Sequence, residues 1–317
     1  MILQLNMFGS MLNTAPEVQV ACAIIWRNGK ILLSKRHPFV HQGGFWEFPG
    51  GKCKVEEYPE TALIRELIEE LAIIVQSTSY ICQIPWDYGD QRIRLWVYEV
   101  FEFEQDPIGR EGQQIRWFDP KHLQGLQFPK ANDVILRSIG LSRIARFYDP
   151  DFMIEPIVWA LQFNQKSLLY FRGLPPGPDL QATIEQSLEF GHQIVLTVDQ
   201  LSCYQNGCGV HLRKSDCLAG ALGHLDGLRS PWPITSGVRD MHDFERQSKW
   251  PSDAIFISPV RETKSHLSSS ALGFRRFGEL ASKTGVPVYA LGGMDPQDLE
   301  QINNCYGFGV AGIRGFQ

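Results

Sequence analysis

Short apolar runs recur at a steady interval from residue 167 to the end of the chain, and they constrain the fold more than any other feature. The runs are SLLYFRG (167–173), QIVLTVD (193–199), GVHL (209–212), PITSG (233–237), DAIFISPV (253–260), VPVYALGG (286–293) and FGVAGIRG (308–315). Helical stretches lie between them, most legibly DLQATIEQSLEFG (179–191), MHDFERQSKW (241–250) and ALGFRRFGELASKTG (271–285). Near-continuous apolar strands separated by helices are the pattern of parallel strands covered on both faces. With DFMI (151–154) as a first short strand, the count reaches about eight βα units, the number that closes a TIM-type (β/α)8 barrel.

The first half reads differently. VQVACAIIW and KILLSKR flank Asn28-Gly29, the dipeptide of a type I′ hairpin turn. A helix follows Gly50-Gly51, with Pro59 near its start and Leu63, Leu67 and Leu71 at four-residue spacing. SYICQIPWDYGDQRIRLWVYEVFEFE predicts two strands around an Asp-rich turn, QQIRWFDP a further strand, and ANDVILRSI a short second helix. The expected organisation is an extension (1–17), a mixed α/β domain (18–143), a linker (144–151) at FYDPDF, and the barrel (152–317).

A chain of 317 residues with 44% apolar and 21% charged residues can build two such cores. A net charge of −5 argues against non-specific nucleic-acid binding and says nothing of small anionic substrates. No apolar run reaches the roughly 18 residues of a membrane span, and MILQLNMFGSMLNTAPE has no basic n-region, so it predicts a short extension and not a signal peptide. Seven scattered cysteines fit reduced thiols and a cytoplasmic setting. Cys203, Cys208, His211 and Cys217 lack a C-x2-C pair, which favours buried thiols over a zinc site. GFGVAG (307–312) spells a dinucleotide fingerprint, but too little chain follows it to supply the helix and second strand.

The chemistry concentrates in GGKCKVEEYPETALIRELIEELA (50–72). Glu66, Glu69 and Glu70 stand at i, i+3 and i+4, where like charges repel by a few tenths of a kcal/mol per pair. A hard divalent cation would reverse that sign. Gly51, then Glu57 after five residues, then Arg65-Glu66 after seven, then Glu69-Glu70 resemble the Nudix box, with Ala72 where that family usually has glycine.

Over about residues 18–142 the chain is similar to Nudix hydrolases of the MutT type. The resemblance implies a Nudix α/β/α sandwich with a mixed sheet. It also implies hydrolysis of nucleoside triphosphates such as 8-oxo-dGTP to the monophosphate and pyrophosphate, with Mg2+ or Mn2+, in nucleotide-pool sanitation, DNA repair and replication. Its metal residues fall on Gly50, Glu57, Glu66, Glu69, Glu70 and Glu111, and its catalytic residues on Arg65, Glu66, Glu69 and Glu111. Arg36 is expected at phosphate, Phe48 in the base pocket, and Asn132 at the purine edge. Gln91 falls where the MutT type has a base-contacting arginine, with Arg92 one place along. Asn132 is also a strong helix N-cap candidate. The partner is a small nucleotide, neither nucleic acid nor membrane; oligomeric state stays open.

Residues 152–317 resemble thiamine-phosphate synthase and its TenI relatives, on GVHL (209–212), SPVRETKSH (258–266), ALGGM (290–294) and GVAGIRG (309–315). The resemblance places phosphate candidates at Arg172, Lys264, Gly292, Gly293 and Gly312, and two metal carboxylates at Asp199 and Asp216. Tyr170 and Leu174 stand where the synthase has glutamine and lysine, and Val198 where it has asparagine. A degenerate domain is therefore expected, with a phosphate-binding regulatory module or an active synthase as alternatives.

Overall fold

The computed structural model describes residues 17–39, 42–151, 154–218, 232–247, 250–263 and 270–313. The N-terminal extension expected over residues 1–17 falls, apart from Glu17, outside them, as does Lys264. The chain divides into two compact units at Gly140.

The N-terminal unit is built on a mixed sheet. Strand β1 (Val18–Arg27) turns through Asn28 and Gly29, both with positive φ, into β2 (Lys30–Lys35), as the type I′ dipeptide demands. Strands β3 (Trp46–Glu47) and β4 (Gly50–Lys52) lead to helix α1 (Pro59–Leu71). After it come β5 (Ile74–Val75), β6 (Ser79–Asp87), β7 (Arg92–Val100), β8 (Phe103–Glu104), β9 (Ile115–Phe118) and helix α2 (Asp133–Ser138). The sheet order is β3-β2-β1-β7-β6, with β4 paired to β1 and β9 to β2; β1 and β7 run parallel and the other pairs antiparallel.

Ala21 to Ile25 in β1 are all buried, because the strand is covered on both faces. Ala21, Ala23 and Ile25 share one face of its period-2 pleat and pack with Ala62, Leu63, Leu67 and Leu71 of α1. Pro59 occupies the first turn of α1, where no N–H is needed. The helix ends at Ala72 in the left-handed region (φ 58°, ψ 24°), its N–H on the Ile68 carbonyl at 3.1 Å. Left-handed backbone costs a non-glycine residue about 1 kcal/mol or more. Ala72→Gly is therefore expected to stabilise the domain by about 1 kcal/mol, read as a rise in the urea midpoint at constant m-value; an unchanged midpoint would refute it.

In the C-terminal unit eight parallel strands close a barrel: β10 (Ile144–Tyr148), β11 (Leu168–Phe171), β12 (Gln193–Thr197), β13 (Cys208–Leu212), β14 (Ile234–Val238), β15 (Ala254–Ile257), β16 (Val288–Leu291) and β17 (Gly309–Gly312), with β17 paired back to β10. Helices α3 (Pro156–Leu161), α4 (Pro178–Phe190), α5 (Lys214–Leu218), α6 (Met241–Gln247), α7 (Gly273–Ala281) and α8 (Leu299–Asn303) intervene. GFGVAG is thus the last barrel strand and its approach.

The first strand is a correction. It is Ile144–Tyr148, inside the expected linker, and not DFMI, of which Phe152 and Met153 lie outside the described residues. All of β10 is buried. Arg146 interrupts its apolar pattern, yet the guanidinium lies 3.9 Å from the centre of the Phe163 ring and its Nε donates to Ser167 Oγ. Cys203 and Cys208 pack in one apolar cluster of the barrel wall, which accounts for those two thiols without zinc. Among the described residues, no helix is long and apolar enough to cross a membrane.

Candidate active site

Four carboxylates converge where β3, β4, α1 and the loop after β8 meet. Gly50 enters β4 with φ 146°, and a Cβ there would collide with the Ala21 carbonyl oxygen at 2.1 Å. At Gly51 a Cβ would lie 2.3 Å from the Glu66 carboxyl carbon, so the missing side chain is what lets that carboxylate lie against the strand. The Gly50 N–H donates to Glu70, one turn along the same helix face. Glu111 arrives from the far side. Its loop hangs on the open carbonyls at the end of α1: Ile108 N–H donates to Leu71 O at 3.0 Å, and Arg110 N–H to Glu70 O at 2.9 Å. Gln113 ties the loop tighter, its Nε2 donating to Glu70 O and its Oε1 accepting from Glu111 N–H.

The fourth carboxylate is Glu47, which the sequence reading passes over. It precedes Phe48 in β3 and forms an ion pair with Arg36. Burial pushes the Glu70 carboxyl up to about 8, and the charges of Glu111, Glu47 and Glu66 add to that shift. Glu47 is raised too, by burial first, with the Arg36 charge opposing.

Arg65 organises the opposite flank. Its Nε and Nη2 grip the Glu57 carboxylate at 2.9 and 2.8 Å, Nη1 reaches Glu66 at 2.8 Å and Glu69 at 3.2 Å, and Nη2 also donates to Lys52 O. The Lys54 N–H adds a bond to Glu57. These hydrogen bonds hold Glu57 down at about 2. Glu57 is therefore the clasp between loop and helix, each of its oxygens accepting from Arg65. Glu69 is half-exposed and turned to Arg65, at the rim of the acid group.

On the nucleotide side, Asn132 is 6% exposed and stands at the N-cap of α2, but its side chain makes no capping bond. Its amide keeps its hydrogen-bonding capacity for something else. Phe48 is buried and stacks on Phe128 at 5.7 Å, so packing alone accounts for its position. Arg92 begins β7 opposite Asp87. Tyr88, in the turn between them, was not anticipated: its hydroxyl accepts from the Ala131 N–H and feels the Arg36 charge. That links the turn to Asn132 and Arg36, a link invisible at a separation of more than forty residues.

The acid group fits a hard divalent cation. It offers several oxygens, one of them on the Glu70 carboxyl, which burial first and the neighbouring negative charges second keep protonated at neutral pH. A cation must displace that proton. Mg2+ binding at pH 7 is expected to release about one proton and to tighten as pH rises towards 8, read by calorimetry in buffers of different ionisation enthalpy; no release would place the raised carboxyl outside the cation site. Stability follows the opposite sign. Glu70 ionises near 4.5 in the unfolded chain and near 8 in the fold, so the metal-free protein binds the extra proton when native and loses stability as pH rises between those values.

In the barrel, Arg172 follows β11 and lies with Tyr170, Thr197, Asp199 and Arg213 around a cavity of about 450 Å3. Gly292, Gly293 and Gly312 do not line it. Past the end of β15, Arg261 makes paired 2.7 Å bonds to Asp298 and reaches the Gly293 carbonyl.

Residues 20–138 match the model of the NUDIX domain, and residues 202–316 that of thiamine monophosphate synthase. The 8-oxo-dGTP diphosphatase of Escherichia coli K12 is 35% identical over 124 residues, 39% of this chain and 96% of that protein. The 8-oxo-dGTP diphosphatase of Haemophilus influenzae is 37% identical over 124 residues, 38% of this chain and 90% of its own. The CTP pyrophosphohydrolase of E. coli K12 is 37% identical over 114 residues, 36% and 83%. A Nudix box folded as described, on a domain that spans nearly the whole of such relatives, establishes that the chain belongs to the Nudix family: it is a Nudix hydrolase whose N-terminal domain is followed by a barrel that matches the thiamine monophosphate synthase model over residues 202–316.

Proposed function

We propose that the N-terminal domain hydrolyses 8-oxo-dGTP to 8-oxo-dGMP and pyrophosphate in a Mg2+-dependent reaction, clearing oxidised nucleotide from the cytoplasmic pool. Glu66, Glu70, Glu111 and the Gly50 carbonyl would hold the cation, with Glu69 at the rim and Mn2+ as a substitute. When bound, it supplies positive charge to the triphosphate and makes water more acidic. Arg65 acts on position: it fixes Glu57, Glu66 and the Lys52 carbonyl together. Arg36 leaves its ion pair with Glu47 to meet phosphate, and Arg92 adds charge on the nucleotide side. Water adds to the β-phosphorus, the bond to the α–β bridging oxygen breaks, and a carboxylate of the acid group takes the proton.

The observation that carries the choice of an oxidised purine is Asn132, a buried residue whose side chain makes no capping bond and whose neighbour Ala131 is tied to Tyr88. An amide can donate and accept along one purine edge. The measurement is kcat/KM for pyrophosphate release from 8-oxo-dGTP and dGTP side by side. A strong preference for the oxidised nucleotide supports the reading, and equal rates would end it.

A second reading is a pyrophosphohydrolase of another nucleotide, CTP foremost. Gln91, in place of the expected arginine, and the CTP pyrophosphohydrolase at 37% identity favour it. CTP and dCTP belong in the same assay. For the barrel we infer a module without synthase activity, since Tyr170 and Leu174 replace polar groups that a diphosphate leaving group needs. Formation of thiamine phosphate by the full chain would overturn this.

A further inference from the structure

At the mouth of the barrel one guanidinium bridges two carboxylates. Asp199 sits just past β12, and Asp216 in the first turn of α5. Arg213 Nη2 lies 2.7 Å from Asp199 Oδ1 and 3.2 Å from Asp216 Oδ1, while its Nε donates to Asp216 Oδ2 at 3.1 Å. The Arg213 backbone N–H adds a bond to Asp216 Oδ2 at 2.9 Å. Asp216 is 7% exposed, so both of its buried oxygens are satisfied within this clasp.

These are the two aspartates that the synthase resemblance assigns to a divalent cation, and the residues present do not fit one. Mg2+ needs free oxygen lone pairs at about 2.0–2.1 Å in a near-octahedral shell. Here the facing oxygens already accept from nitrogen, and a full positive charge lies between them. A guanidinium is always charged and planar, so it can hold two carboxylates where an ion would otherwise be shared. It also forms one wall of the 450 Å3 cavity, beside Thr197 and Tyr170.

We propose that Arg213 is a built-in replacement for a divalent cation, and that the barrel mouth holds its aspartate pair together without metal. This deepens the reading of the barrel as a module without synthase activity. The two fail separately: thiamine phosphate formation would end that reading, whereas an ion count bears on Arg213 alone.

The test is Mn2+ titration of the full chain, with free Mn2+ followed by electron paramagnetic resonance. Wild type and Asp216→Asn are expected to bind the same number of ions, all at the N-terminal site. Arg213→Ala and the gentler Arg213→Gln are expected to gain one ion, which Asp216→Asn then removes from the Arg213→Ala background. Circular dichroism and nucleotide hydrolysis by the N-terminal domain report on folding in every variant. One ion fewer in Asp216→Asn than in wild type would overturn the proposal, because the barrel would then hold metal with Arg213 in place. No gain in folded Arg213 variants would overturn it equally.

Discussion

Glu70→Gln is expected to lower Mg2+-dependent turnover by about 10^3-fold, the equivalent of some 4 kcal/mol of transition-state stabilisation. Glutamine keeps the volume and can still accept from the Gly50 N–H, but it carries no charge for a cation. The same substitution should help the metal-free fold. In the wild type, alkaline pH forces a negative charge onto the desolvated Glu70 beside those of Glu111, Glu47 and Glu66. The variant escapes this, so in EDTA its melting temperature should stay level between pH 6 and 8.5 while that of the wild type falls. Turnover within tenfold of wild type would remove Glu70 from the proposed cation set. A parallel fall of both melting curves would show that another group carries the pH dependence.

Asn132→Ala should act on selectivity with little effect on stability. Losing one or two hydrogen bonds to a base corresponds to about 1–3 kcal/mol, or roughly 5- to 150-fold in the ratio of kcat/KM for 8-oxo-dGTP over dGTP. Turnover of dGTP should change only a few-fold. An asparagine that capped α2 would behave in reverse, with about 0.5–2 kcal/mol lost from stability on replacement by alanine. The absence of a capping bond from its side chain predicts the first pattern. An unchanged selectivity ratio, with a lowered urea midpoint, would return Asn132 to a structural role.

The two halves were legible in the sequence for different reasons. The Glu-rich helix could be read because its charges sit at fixed helical spacing behind a Gly-Gly turn, all within one local stretch. The barrel could be read because its strands are buried on both faces and hence apolar throughout, and the strands from β11 onward coincide with the expected runs. Strand β10 escaped because Arg146 breaks the apolar pattern, and only the fold reveals Phe163 and Ser167 as its partners. Glu47 escaped because a two-residue strand has no periodicity to read, and its neighbours Glu70 and Glu111 are far along the chain. The fold shows Glu57 held by the Arg65 guanidinium, since a carboxylate's spacing alone does not tell whether it will meet a cation or a guanidinium. The clasp of Arg213 across Asp199 and Asp216 was hidden in the same way.

The loop carrying Glu111 is suspended from the last carbonyls of α1, whose own residues include Glu66 and Glu70. One rigid rod therefore bears three of the four converging acids, two by covalent attachment and one by hydrogen bonds at its tip. The mutual spacing of the three is thus set by one element, and the Gly50 N–H bond to Glu70 ties that element to the sheet that carries Glu47 and its partner Arg36.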